Sequence, residues 1–153
     1  MPVNRSGLSI LTASLVVSAV AGAGLDARVQ DALRSAKEIH VSTQRKDGSR
    51  SKSAPVWFMY ESDAIYFSTL ASSYKARRLK DGGPIYVSVG SENGPSFEGY
   101  GSWVSDPDLI DRMARHYRKK YWIAWLGFFV PNKNRVAAGK TVIIKVTADQ
   151  PSA

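Results

Sequence analysis

Tight-turn signals recur at short intervals along this chain, and they limit its fold more than any other feature. Asp47-Gly48, Glu61-Ser62-Asp63, Gly82-Gly83 and "SENGP" at 91–95 separate short runs of apolar and polar residues. Asp-Gly is a hairpin signal because glycine accepts the positive φ that the turn demands. The runs between the signals are "EIHVSTQ", "SKSAPVWFMY", "AIYFST", "PIYVSVG", "SFEGYGSWVS" and, near the end, "KTVIIKVTA". Most alternate with period two: Ile39 with Val41, Ile65 with Phe67, Ile85 with Val87 and Val89, Val142 with Ile144 and Val146. That is the pattern of strands with one face buried. Six such strands at this spacing leave no room for the crossover helices of a parallel sheet. The expected class is mainly β: a six-stranded antiparallel barrel with a few flanking helices.

Three helices are predicted. Leu25–Ala36 has Asp26 as cap and Val29, Leu33 and Ala36 on one face. A short helix is expected over Ser73–Lys80, ended by Gly82-Gly83. Asp106-Pro107 opens the third, with Leu109, Ile110, Met113 and Tyr117 as its apolar face. "HYRKKYWIAWLGFFVPNKNR" yields no clear element. Aromatics among bases can stack on single-stranded nucleic acid or lie at a membrane interface. The favoured reading is core or dimer-interface aromatics with solvated bases, so neither partner is expected.

The first 24 residues stand apart from residues 25–153. No charge occurs from Ser6 to Leu25, and Ala21-Gly22-Ala23 fits the small-x-small pattern of signal-peptide cleavage. The apolar stretch Leu8–Val20 is short for a membrane span. A cleaved signal and a packed apolar helix are both open, and so are cytoplasmic and exported locations. Arg5 has no arginine beside it, so there is no twin-arginine signal.

With no cysteine, disulfides, thiol nucleophiles and thiolate metal sites are excluded. Two histidines, His40 and His116, are too few for a histidine-rich metal site, and no metal is expected. No nucleophile–base pair is legible, so no catalytic residue is assigned. The net charge of +8 favours an anionic partner: nucleic acid, a membrane surface or a phosphorylated small molecule.

The stretch "YFSTLASSYKARRL" (66–79) places a strand end before hydroxyls and bases. Thr69, Ser72 and Ser73 can donate to phosphate oxygens, Lys75 adds a point charge, and Arg77 or Arg78 can bind bidentately. By itself this is equally a capped, solvated basic turn, and it is no Walker motif.

The ordered set "HVSTQRKDGSRSKSAPVWFMYESDAIYFSTLASSYKARRLKDGGPIYVSVG", followed by "FEGYGSWVSDPDLIDRMARHY", resembles the pyridoxamine 5′-phosphate oxidase-like, FMN-binding split-barrel family over roughly Leu25–Thr147. The resemblance implies a homodimeric six-stranded split barrel with FMN at the interface; the deazaflavin F420 is the alternative cofactor. It implies a flavin-dependent oxidoreductase, or a carrier of flavin, deazaflavin or haem on the same barrel. Carried over by position, Thr69, with Ser68 beside it, falls where a strand end meets the flavin. Ser72, Ser73 and Lys75 fall on the phosphate turn, and Pro55, Val56 and Trp57 along the ring edge. Two departures stand out. Tyr74 occupies a place that often holds a second base, for which Arg78 is the substitute, and Met59 stands where a lysine is usual. The arginine- and tryptophan-rich C-terminal segment that binds substrate in the oxidases themselves has no counterpart in "KVTADQPSA". That leaves the substrate open. Trp122 and Trp125 fall near the cofactor mouth.

Overall fold

The computed structural model describes residues 24–127 and 129–149. The apolar N-terminal segment therefore lies outside the described residues up to position 23. In chain order the elements are α1 (Ala27–Ser35), β1 (Ile39–Thr43), β2 (Ala54–Val56), β3 (Met59–Glu61), β4 (Ala64–Leu70), α2 (Tyr74–Leu79), β5 (Asp81–Val89), β6 (Ser96–Val104), α3 (Pro107–Lys120), a 3₁₀ segment (Trp122–Leu126), α4 (Lys133–Ala137) and β7 (Thr141–Thr147).

The strands form one sheet in the order β2-β1-β5-β6-β7-β4-β3, and every neighbouring pair is antiparallel. β2 and β3 lie at opposite edges, yet only Trp57 and Phe58 separate them in the chain. Three residue steps reach at most about 11 Å. A flat sheet of this order would hold its edges about 28 Å apart. The sheet must therefore curl until its edges meet, and Trp57-Phe58 crosses the split.

This also corrects the strand count, which is seven where six were expected. The run "SKSAPVWFMY" is not one strand. Its middle pairs with β1 and its end with β4. The backbone of Trp57 and Phe58 turns from one edge to the other and can ladder with neither.

The turns at Asp47-Gly48 and Ser62-Asp63 fall where the sequence placed them, whereas Gly82-Gly83, expected as a break before the strand, lies inside β5 at a shift of its register with β6. Gly48 has φ +84°, and Asp47 accepts from the Ser49 amide at 3.0 Å. Ser62 and Asp63 both take left-handed φ between β3 and β4. Asp26 caps α1 by accepting from Val29 N at 2.9 Å.

Two apolar clusters occupy the two faces of the sheet. The inner one joins Ile39, Val41, Phe67, Ile85, Val87 and Ile144 to Leu33 of α1 and to Ala76 and Leu79 of α2. The outer one packs Leu109, Ile110, Met113 and Tyr117 of α3 on Met59 and Ile143. β7 is covered on both sides, which is why consecutive Ile143 and Ile144 are both fully buried. α2 plugs the barrel because β6 carries glycine beneath it: a Cβ on Gly101 would lie 3.0 Å from Leu79 Cδ2. Trp103 Nε1 fixes the plug by donating to the Ala76 carbonyl at 2.8 Å.

The crossing at the split needs hydrogen-bond partners that no ladder supplies, and unpaired buried backbone groups are costly. The end of α3 provides them. Tyr117 Oη donates to the Trp57 carbonyl at 2.8 Å, and Lys120 Nζ to the Phe58 carbonyl at 3.4 Å. Tyr121 Oη accepts from Phe58 N at 3.2 Å and donates to the Lys37 carbonyl. In the aromatic-basic segment, Tyr117 and Tyr121 are therefore buried supports of the split, whereas Trp122 and Phe129 are exposed and Lys120, expected as a solvated base, is half-buried against Phe58.

Candidate functional site

β4 runs along the outer wall to its exposed end at Leu70. Phe67 faces the core, so the next residue, Ser68, faces outward. Ser68, Pro55, Val56 and Trp57 meet around a groove of about 370 Å³, together with Glu38, Tyr117 and Phe129. The four were expected at one site and share one wall. An adjoining recess of about 510 Å³ shares Ser68 and Phe129 and continues along Thr69, Leu70, Asn132 and Arg135.

The Trp57 indole is held firmly in this wall. It stacks on Tyr121 with centroids 4.0 Å apart and planes 3° from parallel, and meets Tyr117 and Phe129 edge-on at 6.0 and 5.6 Å. Offset and edge contacts of this kind are the favoured aromatic geometries. Burial pushes the Tyr117 hydroxyl well above its usual range and Tyr121 up to about 12, so both stay protonated donors.

At the end of β4 the hydroxyls converge. Thr69 Oγ1 lies 3.4 Å from Ser73 Oγ, and Ser73 Oγ caps α2 by accepting from Ala76 N at 3.1 Å. Either hydroxyl of this pair can donate to the other, which leaves one of the two protons without an acceptor among the described residues. Ser72 is exposed on the same turn. Lys75 is half-buried, with Nζ 5.9 Å from the centre of the Phe67 ring, and burial holds its ammonium below the usual lysine range. Its Nζ makes no hydrogen bond or ion pair among the described residues.

Arg78 goes elsewhere. It donates to Thr43 Oγ1 at 3.2 Å and lines a separate recess with Arg45, Lys46, Tyr74 and Arg77. Tyr74 is exposed, and its ring carries the Arg77 guanidinium at 4.6 Å. The structure therefore joins Thr69 to Ser73, with Lys75 two residues on in the first turn of α2 and its ammonium toward Phe67, groups Pro55, Val56, Trp57 and Ser68, and sends Arg78 to Thr43 and a separate recess. Trp122 is exposed beyond α3; the side chain of Trp125 lies outside the described residues.

Sequence reasoning missed Glu38, Tyr117 and Phe129 as groove residues. Glu38 Oε1 lies 3.2 Å from His40 Nε2, and His40 sits opposite Pro55 in the β1–β2 register. His40 Nδ1 is buried without a hydrogen-bond partner among the described residues.

A curled antiparallel barrel split at Trp57-Phe58, with a polar-ended groove on its outer wall, defines the class. The sequence profile described as pyridoxamine 5′-phosphate oxidase matches residues 25–151, and the chain belongs to that family. No curated protein matches its sequence significantly. Solved structures share the fold. General stress protein 26 from Bacillus anthracis str. Sterne is 20% identical with TM-score 0.57, covering 78% of this chain and 85% of its own. An F420 reductase is 22% identical with TM-score 0.51, covering 81% and 93%. HutZ, the heme storage protein from Vibrio cholerae, is 11% identical with TM-score 0.58, covering 84% and 92%.

Proposed function

We propose that this protein is a flavin-dependent oxidoreductase that takes FMN in the β4 groove, with a second copy of the chain completing the site. The observation that carries this reading is Lys75: a half-buried ammonium without a counter-charge among the described residues, in the first turn of α2, whose cap Ser73 meets Thr69 at the end of the strand that carries Ser68 into the groove. Partial desolvation of an unpaired ammonium costs free energy that an anion would recover, and a phosphate supplies that partner. Pro55, Val56 and Trp57 then border the ring, and Trp57 is pre-positioned by its stack on Tyr121. The exposed apolar side chains of Leu70 and Phe129 at the groove favour cover by a partner subunit.

A bound flavin supplies two-electron transfer, taking up a hydride from a donor and passing it to an acceptor. The chain's own residues hold, orient and desolvate it. The likeness to an F420 reductase keeps deazaflavin F420 as the alternative cofactor, and the likeness to HutZ keeps a haem or flavin carrier as the alternative role.

The test is titration of the purified protein with FMN and with F420, read by absorption and fluorescence, followed by turnover with a reduced nicotinamide and an acceptor. Saturable FMN binding weakened at least tenfold in Lys75→Ala supports the reading. If Lys75→Ala binds FMN as tightly as wild type, the phosphate assignment is wrong. If neither cofactor binds, the function is wrong. Binding without turnover identifies a carrier.

A further inference from the structure

A second recess, of about 430 Å³, lies between α1, β3 and α3, away from the β4 groove. Leu33 and Tyr60 form its apolar part, and Arg34, Lys37, His116 and Lys120 line the rest. No carboxylate lines it. The nearby acids are already engaged: Asp31 pairs with Arg34 at 2.7 Å, Glu61 holds Arg112 at 3.2 Å, Asp63 accepts from Tyr60, and Glu38 faces His40. Lys37, His116 and Lys120 have no acidic partner among the described residues.

Lys120 is the centre of this imbalance. Its Nζ sits 3.5 Å above the centre of the Phe58 ring, and the Phe58 carbonyl at 3.4 Å is its one hydrogen-bond acceptor among the described residues. An ammonium carries three donors, so two have no acceptor among the described residues. Burial lowers its pKa to about 8. His116 is also pushed down, by burial first and then by Lys120.

We propose that this recess is an anion site that receives the phosphate of a small phosphorylated molecule, independently of the cofactor groove. A phosphate monoester offers acceptor oxygens to Lys120 and His116 and lets Arg34 or Lys37 close over it from the rim. The recess is larger than the ion alone, and Leu33 and Tyr60 provide apolar surface for the remainder of the molecule. Because the cations come from Arg34 at the end of α1, which keeps its bond to Asp31, from Lys37 just after it and from α3, occupancy ties the N-terminal helix to the helix that supports the barrel split.

The experiment is an amide NMR titration of the isotopically labelled full chain with inorganic phosphate, against chloride at matched ionic strength. The expected result is saturable shifts at residues 34–37 and 116–120, unchanged in Lys75→Met. Affinity should fall about tenfold in the Arg34→Gln/Lys37→Gln double variant, whose side chains are exposed and outside the core, as loss of a charge-assisted bond predicts. Lys120→Met should remove the response. Shifts that follow ionic strength alone overturn the proposal. So do shifts that disappear in Lys75→Met yet persist in the double variant, because they would report the cofactor groove.

Discussion

Lys75 and Lys120 are two half-buried lysines with lowered pKa values and no carboxylate partner among the described residues, and they sit in different regions for different reasons. Lys120 stands at the end of α3, where Tyr117, Tyr121 and Lys120 together satisfy the backbone of the Trp57-Phe58 crossing. Its position is demanded by the fold. Lys75 stands in the first turn of α2, which Ser73 already caps, and no backbone group among the described residues needs its ammonium. The fold gains nothing from burying that charge. A desolvated cation that serves no structural bond is the plainer marker of a ligand site, whereas Lys120 serves one backbone bond and keeps its other donors for a ligand.

The strongest way to break this contrast is to remove the support. Tyr121→Phe deletes a hydroxyl that serves both Phe58 N–H and the Lys37 carbonyl, while keeping the ring stacked on Trp57. Two backbone groups then lose their partner, at an expected cost of about 2–4 kcal/mol. Chemical denaturation should show this as a lower midpoint with an unchanged slope. An unfolding free energy equal to wild type would mean that water takes over both bonds and that the split needs no support. FMN affinity of the folded fraction should change little.

The fold was readable because strand alternation and turn chemistry are local. Asp47-Gly48 and Ser62-Asp63 announce their turns, and Asp26, Ser73 and Asp106 announce their helices. The split was not readable. "SKSAPVWFMY" has unbroken strand character, and only the closure of the sheet decides that Trp57-Phe58 must leave the ladder. The same reason hid much of the groove. Pro55, Val56, Trp57 and Ser68 were legible through family resemblance, but Glu38, Tyr117 and Phe129 reach it from segments that are distant in sequence. Arg78 shows the converse: adjacency in sequence placed it with Lys75, whereas its guanidinium is bonded to Thr43 on β1.

Lys75→Met sharpens the contrast from the other side. Methionine fills a similar volume without the desolvated charge, so thermal stability should stay level or rise. FMN affinity should fall at least tenfold, about 1.4 kcal/mol. A variant that loses stability and affinity together would make Lys75 a structural residue like Lys120.

The pH dependence of stability separates the lysines more finely. Between about pH 8 and 10.5 the unfolded chain holds a proton on Lys120 that the folded chain has released. The unfolded state then binds more protons, so stability rises with pH across that window. With part of its hydration retained, Lys120 contributes no more than about 1–2 kcal/mol to the rise. The tyrosines, held above their ordinary value of 10.0, act oppositely at the alkaline end. The informative quantity is therefore the difference between wild type and Lys120→Met from pH 7.5 to 9.5 (on the order of the lower half of that window). A difference that grows with pH agrees with a buried, unpaired ammonium. A flat difference would mean that the ammonium is already hydrated or paired.

The smallest effect concerns Tyr74, where the resemblance leads one to expect a base. Its ring is exposed and supports the Arg77 guanidinium rather than the core, so Tyr74→Lys should leave stability within about 0.5 kcal/mol. If Lys75 alone grips the phosphate, a second ammonium one residue away should tighten FMN binding by roughly two- to fivefold, with the gain fading as salt is raised. No gain at low salt would place the phosphate beyond reach of position 74. A loss would mean that the tyrosine itself contributes, as a stacking surface that holds Arg77 toward the anion.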